Sequence, residues 1–188
     1  MSMRRLWLLR HAPVIAEAGL CYGASDLEAE AEATHAAAER IARELPPGLA
    51  VLSSPLRRCA ALAGAIAALR PDLTVQHDVR IAEMDFGAWE GQSWSAIARA
   101  ELDAWTADFA DTRAGAHGES VRAFMARVAG AYDEWRAGQG DALWVAHAGV
   151  LRAVSLLHAG TRCPRDATEW PSTPLPFGGW QVVELRPA

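Results

Sequence analysis

Four short stretches hold the side chains able to do chemistry: Arg10-His11, Ser53-Ser54-Pro55 followed by Arg57 and Arg58, Glu83, and His147-Ala148-Gly149. Arginine forks bond phosphate oxygens bidentately. A neutral imidazole beside them is a nucleophile in reach of phosphorus. A second, protonated imidazole donates to phosphoryl oxygens as charge spreads over them. Positive neighbours lower an imidazole pKa, so His11 is expected to be unprotonated at neutral pH, with bound phosphate raising the pKa of His147. Glu83 is expected to protonate a departing alkoxide and then to accept a proton from incoming water. Backbone N–H groups at the helix start after His147 would add to such an anion site.

Taken singly, each signal is weak. Arg10-His11 is easily met by chance in a chain with 18 arginines and six histidines. His147 alone reads equally as a hydrogen-bonded strand-end residue, and Glu83 as a surface carboxylate. Arg57 and Arg58 could form a solvated helix face, although two cations in a first helical turn oppose the helix dipole. The joint placement carries the inference, because every one of these residues follows the end of an expected strand.

Those strands are expected at 4–10 (RRLWLLR), 49–53 (LAVLS), 73–77 (LTVQH), 142–146 (ALWVA) and, with an alternating pattern, 180–185. Between them, the spacing predicts a helix over 26–45 with Asp26 as its N-cap. A second helix opens at Pro55 with Leu56, Cys59, Leu62, Ile66 and Leu69 on one face. Later helices carry Trp94, Ile97, Leu102, Trp105 and Phe109, then Val121 to Trp135, then 148–159. A proline-rich loop (Pro164, Pro171, Pro174, Pro176) precedes the last strand. Alternating helices and continuously apolar strands predict a single-domain, three-layer α/β/α sandwich over 1–188 with a mostly parallel sheet. Ligands of open α/β sheets bind beyond the carboxyl ends of the strands, where these residues would gather.

The chain has 188 residues, which fits one domain. Its net charge of -5 disfavours nucleic-acid and acidic-membrane partners, and no apolar run is long enough to span a bilayer. Every basic residue is arginine, which excludes Schiff-base and P-loop lysine chemistry. Cys21, Cys59 and Cys163 are widely spaced and odd in number; buried free thiols and a cytoplasmic setting are expected, without a zinc site. The arginine-bearing N-terminus lacks a small-residue cleavage site at signal-peptide distance.

With these residues in place, the chain resembles the histidine phosphatase superfamily, the phosphoglycerate mutase-like proteins. The family's R-H-G signature corresponds to Arg10-His11-Ala12, and its S-S-x-L-x-R stretch to Ser53–Arg58. Its acidic segment corresponds to Glu83–Gly91, its G-E-S turn to Gly118-Glu119-Ser120, and its second histidine motif to His147–Arg152. The resemblance implies a phosphohistidine intermediate on His11 held by Arg10, Arg58 and His147, with Glu83 as acid/base and no metal or organic cofactor. It selects Arg58 over Arg57. Ala12 replaces the signature glycine, and Ala114–Gly118 (AGAHG) departs from the usual entry to G-E-S. His117 is expected to be an exposed loop residue, with a substrate-facing position as the alternative.

Within the family, Cys21–Asp26 resembles the Y-G-x-x-D segment of α-ribazole phosphatase-type members. That places Tyr22 and Gly23, with Ala148, beside the substrate and makes α-ribazole 5'-phosphate or a related small phosphorylated metabolite the implied substrate. Only 26 residues, 92 to 117, separate Gly91 from Gly118, too few for the cap of a mutase. An open site admits water and favours hydrolysis. A cofactor-dependent phosphoglycerate mutase and a non-catalytic phosphate-binding module on the same fold are the alternatives; metal-dependent hydrolysis lacks its motifs. Among the eight tryptophans, Trp7, Trp94, Trp105, Trp135 and Trp144 are expected in the core, while Trp89 and Trp170 are candidate pocket walls.

Overall fold

Alternation along the first strand sorts its side chains between two cores. In the computed structural model, which describes residues 3–173 and 175–186, β1 (Arg4–Arg10) sends Leu6 and Leu8 to one face and Trp7 and Leu9 to the other. β4 (Ala142–Ala146) does the same: Trp144 and Ala146 join the first core, Leu143 and Val145 the second. Burial on both faces explains why these strands read as unbroken apolar runs. The remaining strands are β2 (Ala50–Ser53), β3 (Thr74–His77) and β5 (Trp180–Leu185). The sheet order is β3-β2-β4-β1-β5, parallel except for β5. Helices α1 (Ala31–Ala42) and α2 (Arg57–Leu69) cover one face; α4 (Val121–Ala137) and α5 (Ala148–His158) cover the other. The expected three-layer α/β/α sandwich is therefore observed.

Register positions the chemistry. Arg10 pairs with Ala146, and Ser53 with Val145. The next residues, His11, His147 and Ser54, consequently leave the sheet side by side. The His11 backbone N–H still donates to Ala146 O at 3.1 Å, and that of Ser54 to Val145 O at 2.9 Å.

Several expectations are corrected. Residues 28–30 are extended rather than helical, because their backbone bonds to 13–15 (Ile15 N to Glu28 O, 2.9 Å; Glu30 N to Pro13 O, 2.8 Å). Asp26 therefore caps a different helix: its Oδ1 accepts from Arg57 N at 2.7 Å, at the start of α2. Pro55 sits just before that helix, whose N-cap is Leu56. The helix expected from Trp94 shrinks to α3 (Arg99–Ala107), since Trp94 N bonds Gly19 O at 2.9 Å and Leu20 bridges to Ser93. Trp94 is 37% exposed, and Cys163 is only half-buried, unlike Cys21 and Cys59. Trp7 and Trp144 are buried; Trp105 and Trp135 are partly buried against the core. Of the proline-rich loop, Pro174 lies outside the described residues. Among the described residues, no helix is long and apolar enough to cross a membrane.

Candidate active site

The His11 and His147 rings face each other with centroids 5.2 Å apart and planes at 61°. His11 is buried, and its Nδ1 donates to Ala12 O at 2.7 Å. That bond fixes the tautomer and leaves Nε2 with its lone pair free. Burial, together with the charges of Arg58 and Arg10, lowers the His11 pKa to about 3 despite the Ala12 bond. The ring is thus neutral across the physiological range, as the sequence predicts. Ala12 is fully buried with ordinary backbone geometry, so loss of the signature glycine costs no strain.

His147 is the N-cap of α5 and fully buried. Arg58 Nε donates to its Nδ1 at 3.2 Å, so Nε2 bears the proton and donates to Ser54 Oγ at 2.8 Å. Burial first, then Arg58 and His11, push its pKa well below the ordinary histidine value. In this state His147 is a neutral imidazole, not the cation that would donate to a phosphoryl group.

Arg58 is entirely buried on the first turn of α2. It donates to Ser25 O and Gly23 O, each at 2.7 Å, and its guanidinium carbon lies 5.3 Å from the Tyr22 ring centre. Three of its five N–H groups are spent on neutral acceptors, leaving two. Arg57, its neighbour, is exposed and paired with Glu28, a solvated helix-face residue. Arg10 donates to Leu175 O at 2.6 Å and lies 3.7 Å under the Phe177 ring, while its Nε is buried without an acceptor among the described residues. Burial lowers the Arg10 pKa; Tyr22 and Glu83 oppose the shift, and the charge of Arg152 adds to it.

Backbone amides, rather than an arginine, hold Glu83. Its Oε2 accepts from Gly149 N and its Oε1 from its own neighbour Met84 N, both at 3.0 Å. One helix-start amide expected to meet the anion is therefore spent on the acid/base candidate. A Cβ at Gly149 would lie 2.2 Å from that carboxylate, so a side chain there would displace Glu83 from its amides. The loop carrying Glu83 is clamped by Arg127, which donates to Arg80 O, Ala82 O and Glu83 O at 2.7–2.9 Å and pairs with Glu119. The G-E-S turn thus positions the loop that carries Glu83, and Ser120 caps α4 through Ala123 N at 3.2 Å. Gly87, Gly115 and Gly118 pack backbone to backbone beside it, and His117 is exposed, as expected.

Three candidate binding residues are reassigned. Trp89 is 3% exposed and donates to Glu101 at 2.7 Å; it belongs to the core rather than the pocket wall. Trp170 packs on Phe109 and Phe124. Gly23 is buried with its N–H and C=O both engaged within the protein. Tyr22 stays beside Arg10 and Arg58, and Ala148 is half-buried at the start of α5. The aromatic beside His11 is instead Phe177, 5.5 Å from its ring and 38% exposed. Its signal lay in topology: β5 pairs with β1, so the loop entering β5 must cross Arg10. Arg152, one helical turn after Gly149, has its Nε buried with no acceptor among the described residues.

A cleft of about 1300 Å³ lies at the opposite end of the sheet, lined by Arg4, Arg5, Asp133 and Asp141 among others. It holds neither histidine of the facing pair. Among the described residues, no three His, Cys, Asp or Glu side chains cluster as a metal site would.

The profile described as Histidine phosphatase superfamily (branch 1) matches residues 6–185. A structure called mycobacterial hydrolase 2 is 28% identical, with 98% of this chain and 83% of that chain covered and a TM-score of 0.82. Mycobacterial glucosyl-3-phosphoglycerate phosphatase complexed with VO3 is 28% identical over 95% of this chain and 92% of its own, at TM-score 0.78. TTHB049 from Thermus thermophilus is 28% identical over 95% and 92%, at TM-score 0.69. No curated protein matches the chain.

Proposed function

Because the chain belongs to the histidine phosphatase superfamily, we propose that it is a phosphatase that hydrolyses a small phosphomonoester through a phosphohistidine on His11, without a metal. The observation that carries this reading is the buried, neutral His11 with a free Nε2, beside guanidinium N–H groups that have no acceptor among the described residues. Burying such donors unpaired is costly, and a phosphoryl dianion relieves that cost. A neighbouring phosphatase complexed with VO3 supports the same chemistry.

In the first step, His11 Nε2 forms a bond to phosphorus while the bond to the leaving oxygen breaks. Glu83 delivers a proton to that oxygen. Arg10 and the two remaining N–H groups of Arg58 hold the equatorial oxygens. The dianion opposes the burial and the arginine charges that keep His147 neutral; a proton taken up at Nδ1 ends that nitrogen's bond from Arg58 Nε, and the ring donates to the phosphoryl group through its Nε2–H. In the second step, water attacks phosphorus as Glu83 takes its proton, the P–N bond breaks, and His11 regains its lone pair. Phe177 offers an apolar wall to the leaving group, with Tyr22 nearby.

A panel of phosphomonoesters tests this reading, run in chelator and including α-ribazole phosphate, glucosyl-3-phosphoglycerate and 3-phosphoglycerate. Release of inorganic phosphate from at least one is expected. Interconversion of phosphoglycerates without net phosphate release identifies a mutase instead, and loss of activity in chelator contradicts the metal-free mechanism.

A further inference from the structure

Glu90, seven residues after the acid/base candidate, has no part in the steps above, yet it is among the most heavily hydrogen-bonded side chains near the site. Its Oε1 accepts from Ala24 N at 2.9 Å and from Phe86 N at 3.0 Å. Its Oε2 accepts from Gly23 N at 2.9 Å, from Ser25 N at 3.1 Å and from the Ser25 hydroxyl. Carboxylate bonds to amides are charge-assisted and roughly twice as strong as neutral ones.

The amides that Glu90 holds belong to the segment whose carbonyls hold Arg58. The peptide unit joining Gly23 to Ala24 gives its N–H to Glu90, while its C=O accepts from Arg58 Nη2 at 2.7 Å. Ser25 gives its N–H to Glu90, and its C=O accepts from Arg58 Nη1. An anion on one side and a cation on the other polarise the same backbone, and such chains strengthen cooperatively. Arg58 in turn fixes the His147 tautomer through Nδ1. Gly23 suits this close stacking, because a Cβ there would lie 1.8 Å from Met84 O.

Resting on the phosphatase reading above, we propose that Glu90 is a positioning residue of the phosphate site: acting through residues 23–25, it sets the guanidinium of Arg58 and, through Arg58, the protonated nitrogen of His147. Burial raises the Glu90 pKa, but the Ser25 hydroxyl and the amides of Gly23, Phe86 and Ala24 outweigh it and leave the pKa below the ordinary value. The carboxylate is therefore charged wherever the enzyme works.

A double-mutant cycle tests the proposal. Glu90→Gln is made in wild-type and Arg58→Ala backgrounds, with Ser25→Ala as a milder second variant should Glu90→Gln fail to fold. The readouts are kcat and KM for p-nitrophenyl phosphate and the imidazole 15N resonances of His147, which need no activity. With Arg58 present, Glu90→Gln is expected to lower kcat/KM at least tenfold and to shift His147 from the Nε2–H form toward mixed tautomers. Ser25→Ala should do the same more weakly, and neither should add more than about twofold once Arg58 is alanine, as expected of residues acting as one unit. Equal losses in both backgrounds, or an unchanged His147 spectrum, overturn the proposal. Wild-type protein that neither binds phosphate nor cleaves any ester overturns the phosphatase reading instead.

Discussion

At the carboxyl edge of the sheet, Arg10 and Arg58 donate, among the described residues, to neutral acceptors alone: the carbonyls of Leu175, Gly23 and Ser25 and the ring of His147. At the opposite end, Arg5 grips the Asp141 carboxylate through two nitrogens at 3.2 and 3.0 Å. Arg4 donates into the last carbonyls of α4, where the helix dipole is negative. One end thus keeps its arginine N–H groups off carboxylates, while the other pairs Arg5 directly with one. A chain of net charge -5 can therefore present a focused anion site. What distinguishes the two ends is the charge of the acceptor, which a count of arginines cannot reveal.

Removing the nucleophile should break the contrast most severely: His11→Ala is expected to lower kcat on the order of 10^4-fold or more, measured as phosphate release. Arg58→Ala should follow, with a loss of about 10^2–10^3-fold in kcat/KM. The adjacent Arg57→Ala should leave kcat/KM unchanged and alter stability by no more than about 1 kcal/mol, as for other exposed pairs. The buried site should also have a signature in acid. Because the folded-state pKa of His11 is lowered to about 3, between that pH and about 6.5 the unfolded chain binds a proton that the native ring does not. Stability should fall as pH drops through this window, and melting curves of His11→Gln should show a shallower decline. Smallest of all, Arg5→Ala at the far end should cost roughly 0–1 kcal/mol by denaturant titration and leave catalysis untouched.

The parts of the fold buried on both sides were the most legible in the sequence. β1 and β4 begin and end where the apolar runs do, because a central strand has no solvent face to interrupt its pattern, whereas the edge strand β5 was read from alternation along its sequence. Errors fell where backbone groups found distant partners. Residues 28–30 pair with 13–15 instead of starting a helix, and Trp94 is held by Gly19. The five expected catalytic residues could be named from their joint placement after the strands and from the family resemblance, which chose Arg58 over Arg57, and the register of β1 with β4 accounts for the meeting of the two histidines. Phe177, Arg127 and Glu90 were not, since an aromatic in a loop, an arginine bonding carbonyls and a carboxylate bonding amides have no pattern in one dimension. Trp89 shows the converse: a suggestive position in the acidic loop, turned inward by its bond to Glu101.

Rapid quenching of the enzyme with a 32P-labelled phosphomonoester, followed by peptide mapping, tests the mechanism most directly. An acid-labile, base-stable label on the peptide containing His11, formed and lost at rates consistent with turnover and absent in His11→Ala, is the predicted result. Turnover with no such label, or a label that survives in His11→Ala, would contradict the assignment of His11 as the nucleophile.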